Sequence, residues 1–137
     1  MKYEKHREAL KEVMDTISKA LDDPEGLTGH QRRIISMLSM GTAQLVEMYL
    51  HKLRVMKPGG QVKHDWFKQN ERNIRLKLSP LLTTRITEIP QMNEILYMAS
   101  EIEKNRDEIF YGSPLPTDRL LKEKIETFLE LKKLVGE

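Results

Sequence analysis

The chain has 137 residues, the size of one domain and long enough to bury a core without a metal or disulfide staple. It contains no Cys, which excludes thiol catalysis, Cys-ligated zinc and a disulfide framework. Charged residues make up 32% but nearly cancel, at +2, which excludes the lopsided coat of a general nucleic-acid binder. The opening Met1-Lys2-Tyr3-Glu4-Lys5-His6-Arg7 is charged, with no apolar run behind it, so no secretory signal is expected. No stretch approaches the roughly 20 apolar residues that cross a bilayer. A cytoplasmic protein without membrane contact is expected. Few aromatics (6%) and eight Met favour helices over strands.

A first helix is predicted from Tyr3 to Leu21, with Tyr3, Leu10, Val13, Met14, Ile17 and Leu21 as its apolar stripe. Asp22-Asp23-Pro24-Glu25-Gly26 ends it, because Pro cannot continue the hydrogen-bond ladder. A second helix is predicted from Thr28, as N-cap, to about Met56, with Ile34, Met37, Leu38, Gly41, Leu45, Met48 and Tyr49 on one face. Such a helix would be roughly 40 Å long at 1.5 Å per residue. Gly41 costs about 1 kcal/mol relative to Ala in mid-helix, which points to a close helix crossing there. Lys57-Pro58-Gly59-Gly60 breaks the chain.

Gln61 to Leu78 fits a helix lined by Trp66, Phe67, Ile74 and Leu78, stopped by Pro80. Leu81 to Ile89 reads as irregular. The fourth helix starts near Pro90, and its stripe of Met92, Ile95, Leu96, Ala99 and Ile102 continues to Ile109 and Phe110. Gly112-Ser113-Pro114-Leu115-Pro116 separates it from a last helix. That helix is capped by Thr117 or Asp118, ends before Gly136 and is lined by Leu121, Ile125, Phe128, Leu131 and Val135. The expected fold is all-α: one domain over residues 1–137, an up-and-down bundle of four to five helices.

The fourth helix carries the position that breaks the pattern. Four residues beyond Ile102, the stripe lands on Arg106. A guanidinium on an apolar face requires a partner or a wet groove. It either snorkels at the helix end, or holds a phosphate or carboxylate at the mouth of the bundle.

The run Asn105-Arg106-Asp107-Glu108-Ile109-Phe110-Tyr111-Gly112, late on the fourth helix and followed by a charged helix, resembles the HEPN domain family. The long second helix, with Ala43-Gln44-Leu45-Val46-Glu47-Met48-Tyr49-Leu50-His51 at its centre, is similar to that family too. The resemblance implies a HEPN-like bundle and a homodimer whose Arg-bearing faces meet across a cleft. It implies either a metal-independent ribonuclease or a binding module that has lost the chemistry. It also implies a toxin–antitoxin-type pairing with a nucleotidyltransferase partner. Arg106 matches the motif Arg, Asp107 its polar neighbour, and Tyr111 stands near the place of the motif His. Tyr, with a pKa near 10, shuttles protons poorly at neutral pH, and no His follows His64.

Beside the catalytic set Arg106, Asp107 and Tyr111 stand possible phosphate contacts at Arg72, Arg75 and His51. The basic run His30-Gln31-Arg32-Arg33 and the cluster His64-Asp65-Trp66-Phe67 are further candidates, the latter equally a helix start packed on the core. Glu47 and His51, four apart, read as a surface ion pair. No second Glu-x-x-His accompanies them, so neither metal nor cofactor is expected. Three functions remain open: a nucleotide-, RNA- or partner-binding dimer, a ribonuclease using the Arg106 cleft, and a structural bundle without a ligand.

Overall fold

A computed structural model describes residues 3–137, and all structural statements concern these. The fold is an all-α bundle without strands among the described residues. Its α-helices are α1 (Tyr3–Leu21), α2 (Gln31–Lys52), α3 (Glu71–Leu78), α4 (Met92–Glu103), α5 (Arg106–Tyr111) and α6 (Arg119–Leu134), joined in places by 3₁₀ turns.

Helix α2 is the axis. Fourteen of its 22 residues are buried, so it is covered on most sides rather than along one stripe. Helices α1, α5 and α6 pack directly on it, and α4 packs against both α2 and α6. A Cβ on Gly41 would come within 2.7 Å of the Phe128 ring of α6 and 3.2 Å of Val13 of α1. Gly41 is therefore where two helices close on α2 at once, as its cost in mid-helix foretold.

Helix α1 keeps its expected span. Its inward face is His6, Leu10, Val13, Ile17 and Ala20, whereas Leu21, expected on the stripe, is 51% exposed. Thr28 does not cap α2. It opens a 3₁₀ turn, and the Asp118 carboxylate, from the start of α6, accepts hydrogen bonds from the Leu27 and Thr28 amides at 2.9 and 3.2 Å. Asp118 is thus the N-cap residue of α6 by position, but its side chain secures the entry to α2 instead.

Helix α2 stops at Lys52, short of the expected Met56. Arg54 turns the chain with φ 57°, and the segment pairs instead with residues 81–83. The Lys57 amide donates to the Leu81 carbonyl, and the Thr83 amide to that of Val55, both at 2.7 Å. The single helix expected over Gln61 to Leu78 divides into a 3₁₀ turn (His64–Lys68) and α3, capped by Asn70 Oδ1 on the Asn73 amide at 2.9 Å. Phe67, Ile74 and Leu78 enter the core as expected.

The main correction is at the fourth predicted helix, which is two helices. Lys104 is extended and Asn105 is left-handed at φ 63°. Asn tolerates that conformation better than most residues. Buried Lys124 of α6 holds the break: its Nζ donates to the carbonyls of Glu101 and Lys104, at 2.6 and 2.5 Å, which the end of α4 leaves unpaired. Burial lowers the Lys124 ammonium pKa, against the pull of Glu101 and Glu103.

Candidate functional site

The break between α4 and α5 positions the site. Arg106 is not a late residue of a long helix but the first residue of α5. Its side chain is only 17% exposed and runs back along the bundle. Nε donates to Ser39 Oγ of α2 at 3.0 Å and Nη1 to Asp107 Oδ1 at 3.1 Å, while the guanidinium carbon lies 5.3 Å from the centre of the Phe110 ring. The polar partners and the aromatic face together satisfy a cation that lies largely inside the bundle.

Behind Arg106 stands Glu103, the last residue of α4 and 3% exposed. Ser39 Oγ donates to Glu103 Oε2 at 2.6 Å, and His64 Nδ1 lies 2.9 Å from Oε1. Arg106 Nε is 3.9 Å from the same carboxylate. A buried carboxylate on α4 thus gathers a hydroxyl, an imidazole and a guanidinium from three other segments. With Nδ1–H donated to Glu103, Nε2 of His64 carries the lone pair.

In front of Arg106, Lys68 Nζ donates to Asp107 Oδ2 at 3.0 Å. Asp107 therefore has one oxygen on Arg106 and the other on Lys68. The hydrogen bond from Lys68, with a smaller share from Arg106, holds its carboxyl below the ordinary range. Lys68, Glu103, Arg106 and Asp107 line a cleft of about 420 Å³.

The other sequence-predicted residues lie elsewhere. Tyr111 is 76% exposed, stacks edge-on against Phe110 at 4.8 Å and does not line the cleft. Arg72 is exposed on α3. Arg75 pairs with Glu71 at 2.9 Å and lines a separate groove beside Met92. His51 is remote from the cleft lining. Burial holds its imidazole pKa below the ordinary range, although the Glu47 carboxylate pulls the other way. The reading of Glu47 as half of a surface ion pair is overturned, since Glu47 is 3% exposed and meets His6 of α1 at 2.5 Å. In the basic run, Gln31 is buried and clamps the Ile109 and Ser113 carbonyls and the Leu115 amide, and Arg32 donates to the Phe110 carbonyl. Gln31 thus fastens α5 to the start of α2, while Arg32 and Arg33 stay exposed and line a separate hollow with His30.

Sequence reasoning missed Ser39, Glu103, Lys68 and the part played by His64. A signal existed for Glu103, which falls beside Ile102 on the inward side of α4. None existed for the others, which reach the cleft only through packing. Comparison with protein-family models, curated proteins and solved structures finds no match to this chain.

Proposed function

We propose that the Arg106 cleft binds the phosphate of a nucleotide or of single-stranded RNA. The observation that carries the reading is the clamp of Arg106 and Lys68 on the two oxygens of Asp107. Two cations around one exposed oxyanion are a phosphate-binding arrangement filled by an internal carboxylate. A phosphate displaces Asp107 and takes both donors.

The test is fluorescence anisotropy with a labelled single-stranded RNA. Arg106→Ala and Lys68→Ala each weaken binding about tenfold and lower the salt dependence by about one counterion. Asp107→Asn removes the competing charge and tightens it. Equal affinity in all three variants overturns the reading.

The likeness to the HEPN family adds a homodimer, with two Arg106 faces opposed across the cleft. Sedimentation at high micromolar concentration tests it, and a clean monomer counts against it. A second reading, metal-independent RNA cleavage, is favoured by one observation: Glu103, which lines the cleft, orients the His64 imidazole for proton transfer. His64 itself lines the neighbouring hollow rather than the cleft. Cleavage that disappears in His64→Ala while RNA binding persists supports this reading, and cleavage equal to wild type removes it.

A further inference from the structure

We infer that His6, Glu47 and His51 form a binding site for a divalent transition metal, zinc by the chemistry of its ligands, that clips α1 to α2. The placement follows from helix periodicity. His6 begins the inward face of α1, four residues before Leu10. Glu47 and His51 stand one turn apart on α2. The crossing of the two helices brings the three side chains together.

Three metal-ligating atoms converge. His6 Nε2, Glu47 Oε2 and His51 Nε2 all lie within 4.8 Å of one another. Glu47 Oε2 is 2.5 Å from His6 Nε2 and 3.9 Å from His51 Nε2. His6 is 1% exposed and Glu47 3%. All three atoms are shut off from solvent, and none makes a hydrogen bond of good geometry, although His6 Nε2 and Glu47 Oε2 touch at ion-pair distance. Buried polar atoms are nearly always well partnered, and a cation at the point where these three converge would serve all of them.

The outer atoms of the same side chains are held. His6 Nδ1 hydrogen-bonds to Gln44 Oε1, and the Val62 amide donates to Glu47 Oε1 at 2.8 Å. Such outer contacts orient metal ligands. With Nδ1–H given to Gln44, the Nε2 lone pair of His6 faces a carboxylate oxygen and a second imidazole. One proton there serves one contact and leaves the third atom orphaned. A dication serves all three.

Two imidazoles and one carboxylate suit zinc and its transition-metal neighbours, not the all-oxygen preference of magnesium or calcium. Tetrahedral zinc with bonds of 2.0–2.1 Å separates its ligands by roughly 3.3 Å. The 2.5 and 3.9 Å separations lie on either side of that value, so a bound ion requires His6 and Glu47 to part by about 1 Å or less while His51 moves in by a similar amount. Water fills the fourth position. None of the three residues lines the Arg106 cleft, so this site stands apart from the phosphate reading. Sequence alone offered only the pair on α2; the third ligand comes from another helix.

The test uses the full chain stripped of metal with a chelator. Zinc titrated against a chromophoric competitor binds at one equivalent with submicromolar Kd and raises the Tm. His51→Ala, the variant least disturbing to the core, and the isosteric Glu47→Gln each weaken zinc at least tenfold and abolish the Tm increase. Gln44→Ala weakens it less. Zinc binding no tighter than about 10 μM, or equal affinity in wild type and His51→Ala, overturns the inference. So do His6 and His51 imidazole NMR resonances that zinc leaves unmoved. Should Glu47→Gln fail to fold, His51→Ala and the NMR measurement decide.

Discussion

Ser39 holds the Arg106 site together from the opposite helix. Its hydroxyl donates to the buried Glu103 carboxylate and accepts from Arg106 Nε. Ser39→Ala leaves a buried carboxylate short of a donor and a guanidinium short of an acceptor. Unsatisfied buried groups of this kind cost about 1–3 kcal/mol. Urea unfolding of Ser39→Ala is expected to show a loss in that range with an unchanged m-value, and a loss under about 0.5 kcal/mol contradicts this account. At this scale the sequence named two members of the cleft, Arg106 and its neighbour Asp107. The stripe from Met92 through Ile102 pointed to Arg106, but the helix carrying it ends at Glu103, and only the break at Lys104-Asn105, by redirecting the chain, turns Arg106 inward. Its partner Ser39 is 67 residues away in the chain, and Lys68 and His64 are each 39 residues from the groups they meet. Local periodicity holds no information about contacts so distant.

The elements show which sequence signals are self-sufficient. Gly41 carried its own message, because Gly in mid-helix is unfavourable unless something needs the space. Gly41→Ala gains about 1 kcal/mol of helix propensity but drives a methyl against the Phe128 ring, which has no room to retreat at 0% exposure. Overpacking costs about 1–3 kcal/mol, so a net loss of about 0–2 kcal/mol is expected in thermal or urea unfolding. A stabilised variant would show that the α1–α2–α6 crossing is looser than described. The division of α4 from α5 carried no such message. The apolar stripe runs through Asn105 without interruption, and Lys104-Asn105 reads as ordinary helix surface. The stop depends on the Lys124 ammonium, whose hydrogen bonds to two carbonyls compensate for the lost helical ladder. The consequence reaches the site, since the break aims Arg106 at Ser39.

Across the whole molecule, the two ends of the described chain close on each other. The Glu137 carboxylate accepts a hydrogen bond from the Tyr3 hydroxyl and pairs with Lys52, whose Nζ also donates to the Val135 and Gly136 carbonyls at 2.9 and 3.0 Å. This clasp joins α1, the end of α2 and the end of α6. Burial raises the Glu137 carboxyl pKa, but the bonds from Lys52 and Tyr3 outweigh it and the net shift is downward from 4.5. A lowered folded-state pKa gives stability that is complete above the unfolded value and disappears as pH falls through the folded one. Burial, then the Glu137 contact, pushes the Tyr3 hydroxyl up to about 12. That contribution is complete below the unfolded value of 10.0 and is lost as pH rises toward about 12. Chemical unfolding across pH is expected to show both flanks. Glu137→Gln should flatten the acid flank below pH 4.5, and Tyr3→Phe the alkaline flank above pH 10. Flanks unchanged in both variants would mean that the clasp does not form in solution. By itself, the sequence determined the all-helical class, the apolar faces and the close crossing at Gly41. Each follows from short-range periodicity and backbone chemistry. Tertiary structure alone decided that α4 stops at Glu103, that Ser39, Glu103, His64 and Lys68 surround Arg106, and that His6 meets Glu47 and His51. Those outcomes depend on which helix faces cross, and the free energy that selects the crossing is shared over the whole core rather than written in any one segment.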